Sequence, residues 1–127
     1  MNVLRLTHLI TVLERVERER LGFNMEKWYA DRVPCGTVCC AGGWAALDPV
    51  FNAEGLRTHH FISTPNFDDH AGYEALGMFF GLNRGCCRSL FDPHAYNLHS
   101  CDIRPHHVIA NIREMLAEHT ATKSKES

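Results

Sequence analysis

"CGTVCCAGGWAAL", residues 35–47, crowds three cysteines and three glycines into nine positions and then places Trp44. Read as a metal knuckle, it organises the fold around zinc; read as a capped helix, it makes a fold of packed helices. Zinc takes thiolate and imidazole ligands, and Cys35 and Cys39 stand at a usual ligand spacing. His99 and Cys101 would complete a Cys35, Cys39, His99, Cys101 set, with Cys86, Cys87 and His94 as further donors. None of these forms the paired CxxC…CxxC or CxxC…HxxxH pattern of a strong zinc signature. Zinc is therefore the runner-up, and no cofactor is expected. As a helix, the stretch is capped by Thr37, runs from Val38 to Leu47 and cannot continue past Pro49. Cys40, Trp44 and Leu47 would share one side. Gly42 and Gly43 each cost about 0.5–1 kcal/mol in a helix relative to alanine, so something must approach them closely. The helical reading is the one that fits the rest of the chain.

Upstream, residues 3–20 carry Leu6, Leu9, Leu13 and Val16 at helical spacing, with Asn2 as a cap and Gly22 as a stop. Asn24 can cap a short segment that puts Met25, Trp28 and Tyr29 on one side. Downstream, RTHHFIST has strand character and PNFDD reads as a loop, which permits a minor hairpin near 57–63. Asp68 or Asp69 then caps a helix to Phe80, and Gly81 ends it. Asn83 opens a helix to Phe91, closed by Pro93, and Pro105 starts the last helix at its first turn. The sum is mainly α: a single compact domain of five or six helices over residues 1–119, with a flexible polar tail at 120–127.

Composition narrows the function. The 127 residues are 45% hydrophobic and carry a net charge of −2, which disfavours a general nucleic-acid binder. No apolar run approaches the ~20 residues of a membrane span, and the charged first segment lacks a signal-peptide cleavage site. The adjacent pairs Cys39–Cys40 and Cys86–Cys87 suit free thiols in a reducing compartment better than a disulfide framework. Cys39 or Cys40 in the first turn of a helix would have its thiolate stabilised by the dipole, which keeps a cysteine-dependent enzyme as an alternative. The residues depart, however, from the Cys-Gly-Ser-Cys-Trp order of papain-like proteases. GMFFGLNRGCCRSLF, residues 77–91, has the outline of a helix-turn-helix presenting Arg84 and Arg88, so a helix-turn-helix or zinc-supported DNA-binding regulator is a second alternative.

Phe23-x-Met25-x-x-Trp28, Cys35-Gly-Thr-x-x-Cys40-x-x-Gly43-Trp44-Ala45 and Ala75-Leu-Gly…Phe80-Gly-Leu82…Leu90-Phe91-x-Pro93 together resemble a family of small bacteriophage and prophage proteins. The resemblance spans roughly residues 20–95. It implies an accessory protein acting in the cytoplasm of a bacterial host and transfers no catalytic residue. The leading expectation is a non-enzymatic binding protein that holds a small, phosphate-bearing, nucleotide-type ligand or blocks a host defence protein. Trp28 and Tyr29 would stack a base, and Arg32, Arg57, His59 and Arg104 would take its phosphate. A homo-oligomer is compatible with the chain, and contact with nucleic acid or membrane is not expected.

Overall fold

A computed structural model describes residues 1–25, 30–32, 36–58, 64–99 and 102–126. The protein is mainly helical, with six α-helices among the described residues. Helix α1, Val3–Arg18, is capped by Asn2, whose side chain accepts from the Arg5 N–H at 3.0 Å. Its buried stripe, Leu6, Leu9, Leu13 and Val16, lies along α6, Pro105–Glu126, which answers with Val108, Ile109, Ile112 and Met115. This is the most extensive contact between two elements of the fold. The helical backbone of α6 continues through the polar residues 120–126.

Two small sheets flank the helices. Strands β1, Gly22–Phe23, β2, Ala30–Arg32, and β3, Gly36–Cys39, form the first, in the order β1-β3-β2. β1 pairs with β3 in parallel and β2 with β3 antiparallel, putting Gly22 opposite Val38 and Arg32 opposite Gly36. The expected helix over 37–47 is thereby shortened. Thr37 is in a strand, and α2, Ala41–Leu47, begins only after it, with Cys40 as its N-cap. Gly22 does not stop α1 either: Glu19 caps that helix, Arg20 takes the left-handed turn at φ +54°, and Gly22 has already entered β1.

The second sheet is antiparallel: β4, Arg57–Thr58, β5, Pro65–Phe67, and β6, His70–Ala71. The hairpin expected near 57–63 corresponds to β4, which pairs with β5 beyond it; residues 59–63 lie outside the described ones. PNFDD is thus strand and turn rather than loop. Asp68 and Asp69, expected as helix caps, have φ of +50° and +67° and form the two-residue turn between β5 and β6. A further short helix unforeseen in the sequence, α3, Pro49–Ala53, follows α2 directly. Asp48 caps it by accepting from the Phe51 N–H at 3.1 Å, with Pro49 at its first position.

These elements surround one core. α2 is buried at Ala41, Gly42, Gly43, Ala45 and Ala46, and packs against α1, β4 and β5. Small residues are what let a helix be enclosed by its neighbours on several sides at once. Beside α2, Phe51 of α3 stands edge-on to Phe79 and Phe80 at centroid separations of 5.1 and 5.5 Å, an arrangement favoured by the ring quadrupoles. Phe79 and Phe80 belong to α4, Tyr73–Phe80, and Phe91 to α5, Arg84–Phe91.

Candidate ligand-binding cleft

One cleft is shaped by α4, a three-residue turn and α5. Gly81 ends α4 in the left-handed conformation at φ +67°, as its sequence position suggested. Asn83 caps α5 by accepting from the Cys86 N–H at 2.8 Å. Leu76, Phe80, Leu82, Cys87 and Leu90 are all buried, so the inner faces of both helices lock into the core. Gly77 faces α5 across the turn. A Cβ there would stand 3.2 Å from the Leu82 carbonyl oxygen and 3.8 Å from Cys87 Sγ. Close approach of the two helices therefore depends on glycine at this position.

The outer edges of the helices leave a cavity of about 470 Å³ between them, lined by Tyr73, Glu74, Gly77, Met78, Leu82, Arg84, Cys87 and Arg88. Its rims differ in chemistry. On α4, Glu74 and Met78 are exposed one helical turn apart; on α5, Arg84 and Arg88 are exposed at the same interval. Gly77, Leu82 and Cys87 form the floor. Burial pushes the Cys87 thiol up to about 11, and its S–H donates to the Tyr73 carbonyl at 3.2 Å. Burial, then the nearby Asp92 charge, pushes the Tyr73 hydroxyl up to about 12, so it stays protonated at neutral pH. Glu74 is held by His70, whose Nδ1 lies 2.8 Å from Oε1.

Two of the lining residues are arginines. Arg5, Arg15, Arg104 and Arg113 each have a carboxylate within 4.0 Å, as at Arg15–Glu19, 2.8 Å. Among the described residues, Arg84 and Arg88 have none within that distance, like Arg18, Arg20 and Arg57, although the charge of Arg88 helps to hold the Asp92 carboxyl below its ordinary range. Another hollow, about 430 Å³ between α1 and α6, also has charged walls, several of them paired: Glu17 meets His106 at 3.1 Å and Glu14 meets Arg113 at 3.7 Å. A third, about 470 Å³, is a shallow hollow over residues 93–99 that includes His94 and His99.

The residues expected from the sequence to bind ligand are placed elsewhere or not described. Trp28, Tyr29 and His59 lie outside the described residues, as do Cys35 and Cys101 of the zinc set. Arg32 lies in β2. Arg57 is exposed in β4, whereas Arg104 sits 3.9 Å from Glu17 and 5.9 Å from the Phe23 ring centre. No interaction among the described residues joins Arg57 to Arg104. Cys39 is the last residue of β3, and His99 is exposed on the loop before α6. Among the described residues, no group of three or more histidine, cysteine or acidic side chains is placed to hold a metal ion.

Cys40 is buried, its Sγ accepts from the Gly43 N–H at 3.4 Å, and burial pushes its thiol up to about 11. That is the opposite of the activation a nucleophile needs. Of the cleft residues, Arg84 and Arg88 were legible as exposed cations. Tyr73, Glu74 and Met78 were missed; the available signal was the Glu74/Met78 interval facing the Arg84/Arg88 interval across Gly77 and Gly81. Among the described residues, no helix is long and apolar enough to cross a membrane. No protein-family model, curated protein or solved structure matches the chain.

Proposed function

We propose that this is a non-enzymatic binding protein that takes a phosphate-bearing ligand into the α4–α5 cleft. The observation that carries the reading is the pair Arg84 and Arg88, one turn apart on the rim of one cleft, with no carboxylate within 4.0 Å of either among the described residues. Guanidinium groups suit phosphate because their N–H donors form a fixed fork. Tyr73, Met78 and Leu82 offer apolar surface beside them for the rest of the ligand. The resemblance to small phage and prophage proteins adds the setting: a host cell, where holding such a ligand would alter host physiology or defence.

Thermal unfolding with a panel of mononucleotides, cyclic nucleotides and inorganic phosphate tests this. Ligand bound only to the native state raises the melting temperature. Arg84→Ala with Arg88→Ala should abolish the shift while leaving unliganded stability nearly unchanged, because both side chains are exposed. A shift that survives the double substitution places the ligand elsewhere. No shift with any member of the panel points to a host protein as the partner.

A second reading has its own support. α4, the glycine turn and α5 have the lengths of a helix-turn-helix, with Arg84 and Arg88 on the outer face of the second helix. Glu74 argues against it, because it sets a carboxylate on the first helix beside the face a phosphate backbone would meet. The two readings part on salt: duplex binding through these arginines weakens linearly in log salt with a slope near −2, at about −0.9 per phosphate contact.

A further inference from the structure

We infer that the occupant of the α4–α5 cleft is a guanine nucleotide, with its base edge on Glu74 and its phosphate on Arg84 and Arg88. The inference rests on the cleft being a phosphate-binding site and adds the identity of the base. It starts from the asymmetry of the rims. Here α5 presents two guanidiniums, while α4 presents a carboxylate and a thioether. A ligand that meets both rims is anionic where it faces α5 and carries N–H donors where it faces Glu74.

Glu74 is prepared for the donor end. Its Oε1 is 2.8 Å from His70 Nδ1, an interaction that spans β6 and the first turn of α4 and orients the carboxylate. An ionised carboxylate accepts only, through two oxygens with about four lone-pair sites. One bond to His70 leaves both oxygens able to accept more. Guanine is the common base whose edge carries two adjacent parallel donors, N1–H and the N2 amino group, which match a carboxylate in the bidentate manner of a guanidinium. Adenine and cytosine set a ring-nitrogen acceptor beside their single amino donor, and that acceptor would face a carboxylate lone pair. Uracil has one N–H between two carbonyls.

The body of the cleft fits a flat ring. Tyr73, half-buried, lines the cleft, and Met78 places an exposed thioether on the same helix as Glu74. Both make sequence-tolerant contacts with a base, so they add affinity without choosing among bases, and the choice is left to Glu74. A cavity of about 470 Å³ is in the range of small-molecule sites, and larger than a single amino acid would fill.

The test is calorimetric titration of the full chain with GMP, IMP, AMP, CMP, UMP and inorganic phosphate, repeated with Glu74→Gln and with Arg84→Ala/Arg88→Ala. GMP should bind tighter than AMP by about tenfold or more, with IMP, which lacks the N2 amino group, between them. Glu74→Gln should remove that preference; because it also takes a negative charge out of the cleft, AMP and phosphate should bind at least as tightly as before, and its unliganded melting temperature reports whether the fold is intact. Equal binding of all four standard nucleotides, or a preference that survives Glu74→Gln, overturns the guanine assignment while the phosphate site stands. Absence of any binding, or binding indifferent to loss of both arginines, overturns the phosphate site together with it.

Discussion

Cys40 occupies a position where serine or aspartate is the usual choice, the N-cap of a helix. It is almost wholly buried between α2 and the core, where a hydroxyl or carboxylate would cost more to desolvate than a thiol, which behaves as a small hydrophobe. The same burial keeps its proton on. Cys87 is alike in this: buried, raised to about 11 and donating to a backbone carbonyl. Both thiols should therefore resist alkylation in the native protein near neutral pH and react fully once it is unfolded, which mass spectrometry of partially modified protein resolves site by site. Rapid native alkylation of Cys40 would restore the cysteine-enzyme reading that its environment now opposes.

Between residues and the whole stand the turns that set two elements against each other, and the α4–α5 turn is the one the cleft depends on. At Gly81 a side chain is excluded twice over. The φ of +67° is one that β-carbon-bearing residues adopt at a cost of roughly 1–2 kcal/mol. A Cβ would also stand 3.0 Å from the Asn2 backbone nitrogen, which donates to the Phe80 carbonyl at 2.8 Å. Gly81→Ala should lower the melting temperature by several degrees and weaken ligand binding, because it strains the turn and pushes on the start of α1 together. At Gly72, by contrast, φ +64° with ψ −136° is backbone that glycine alone favours, and nothing lies within 4 Å of an added Cβ, so Gly72→Ala should lose a conformational term of its own and no contact. Differential scanning calorimetry measures both variants. An unchanged melting temperature for Gly81→Ala would mean that neither the strain nor the contact with the start of α1 matters.

At the scale of the molecule, α1 and α6 form the spine, and the entrance to α6 is held by a histidine. The Arg104 N–H donates to His107 Nδ1 at 2.9 Å, just before Pro105 begins the helix. A doubly protonated imidazole cannot accept that bond. The His107 pKa is held below its ordinary 6.5, first by burial, then by the His106 ring beside it at 4.2 Å, with Arg104 adding to the effect and Glu17 opposing it. The unfolded chain thus binds the proton more readily than the native one. The contribution of His107 to stability is complete above the ordinary value and is lost as pH falls from 6.5 through the lower native value. His107→Gln should consequently show a smaller drop in melting temperature than wild type between about pH 7.5 and about pH 5.5. An unchanged drop would place the acid sensitivity elsewhere.

Much of the helical layout was legible because its signals are local. Asn2 and Asn83 cap through atoms three residues away, Gly81 turns the chain by its own φ, Pro105 starts a helix through its own ring, and the apolar stripes of α1 and α6 are periodic in one helix each. That Arg84 and Arg88 are presented outward followed from the helix-turn-helix outline of residues 77–91. What sequence alone misplaced involves pairing across distance. Thr37 is a sound cap in isolation, yet hydrogen bonds from β1 and β2 pull residues 36–39 into a strand and pass the cap to Cys40. Asp68 and Asp69 are sound caps too, until β5 and β6 pair across them and require two residues of positive φ. The cleft belongs to this second class. Its cations were visible one at a time, but a carboxylate rim opposite a guanidinium rim exists only once Gly77 lets α4 and α5 close on each other, a packing event that no local pattern encodes.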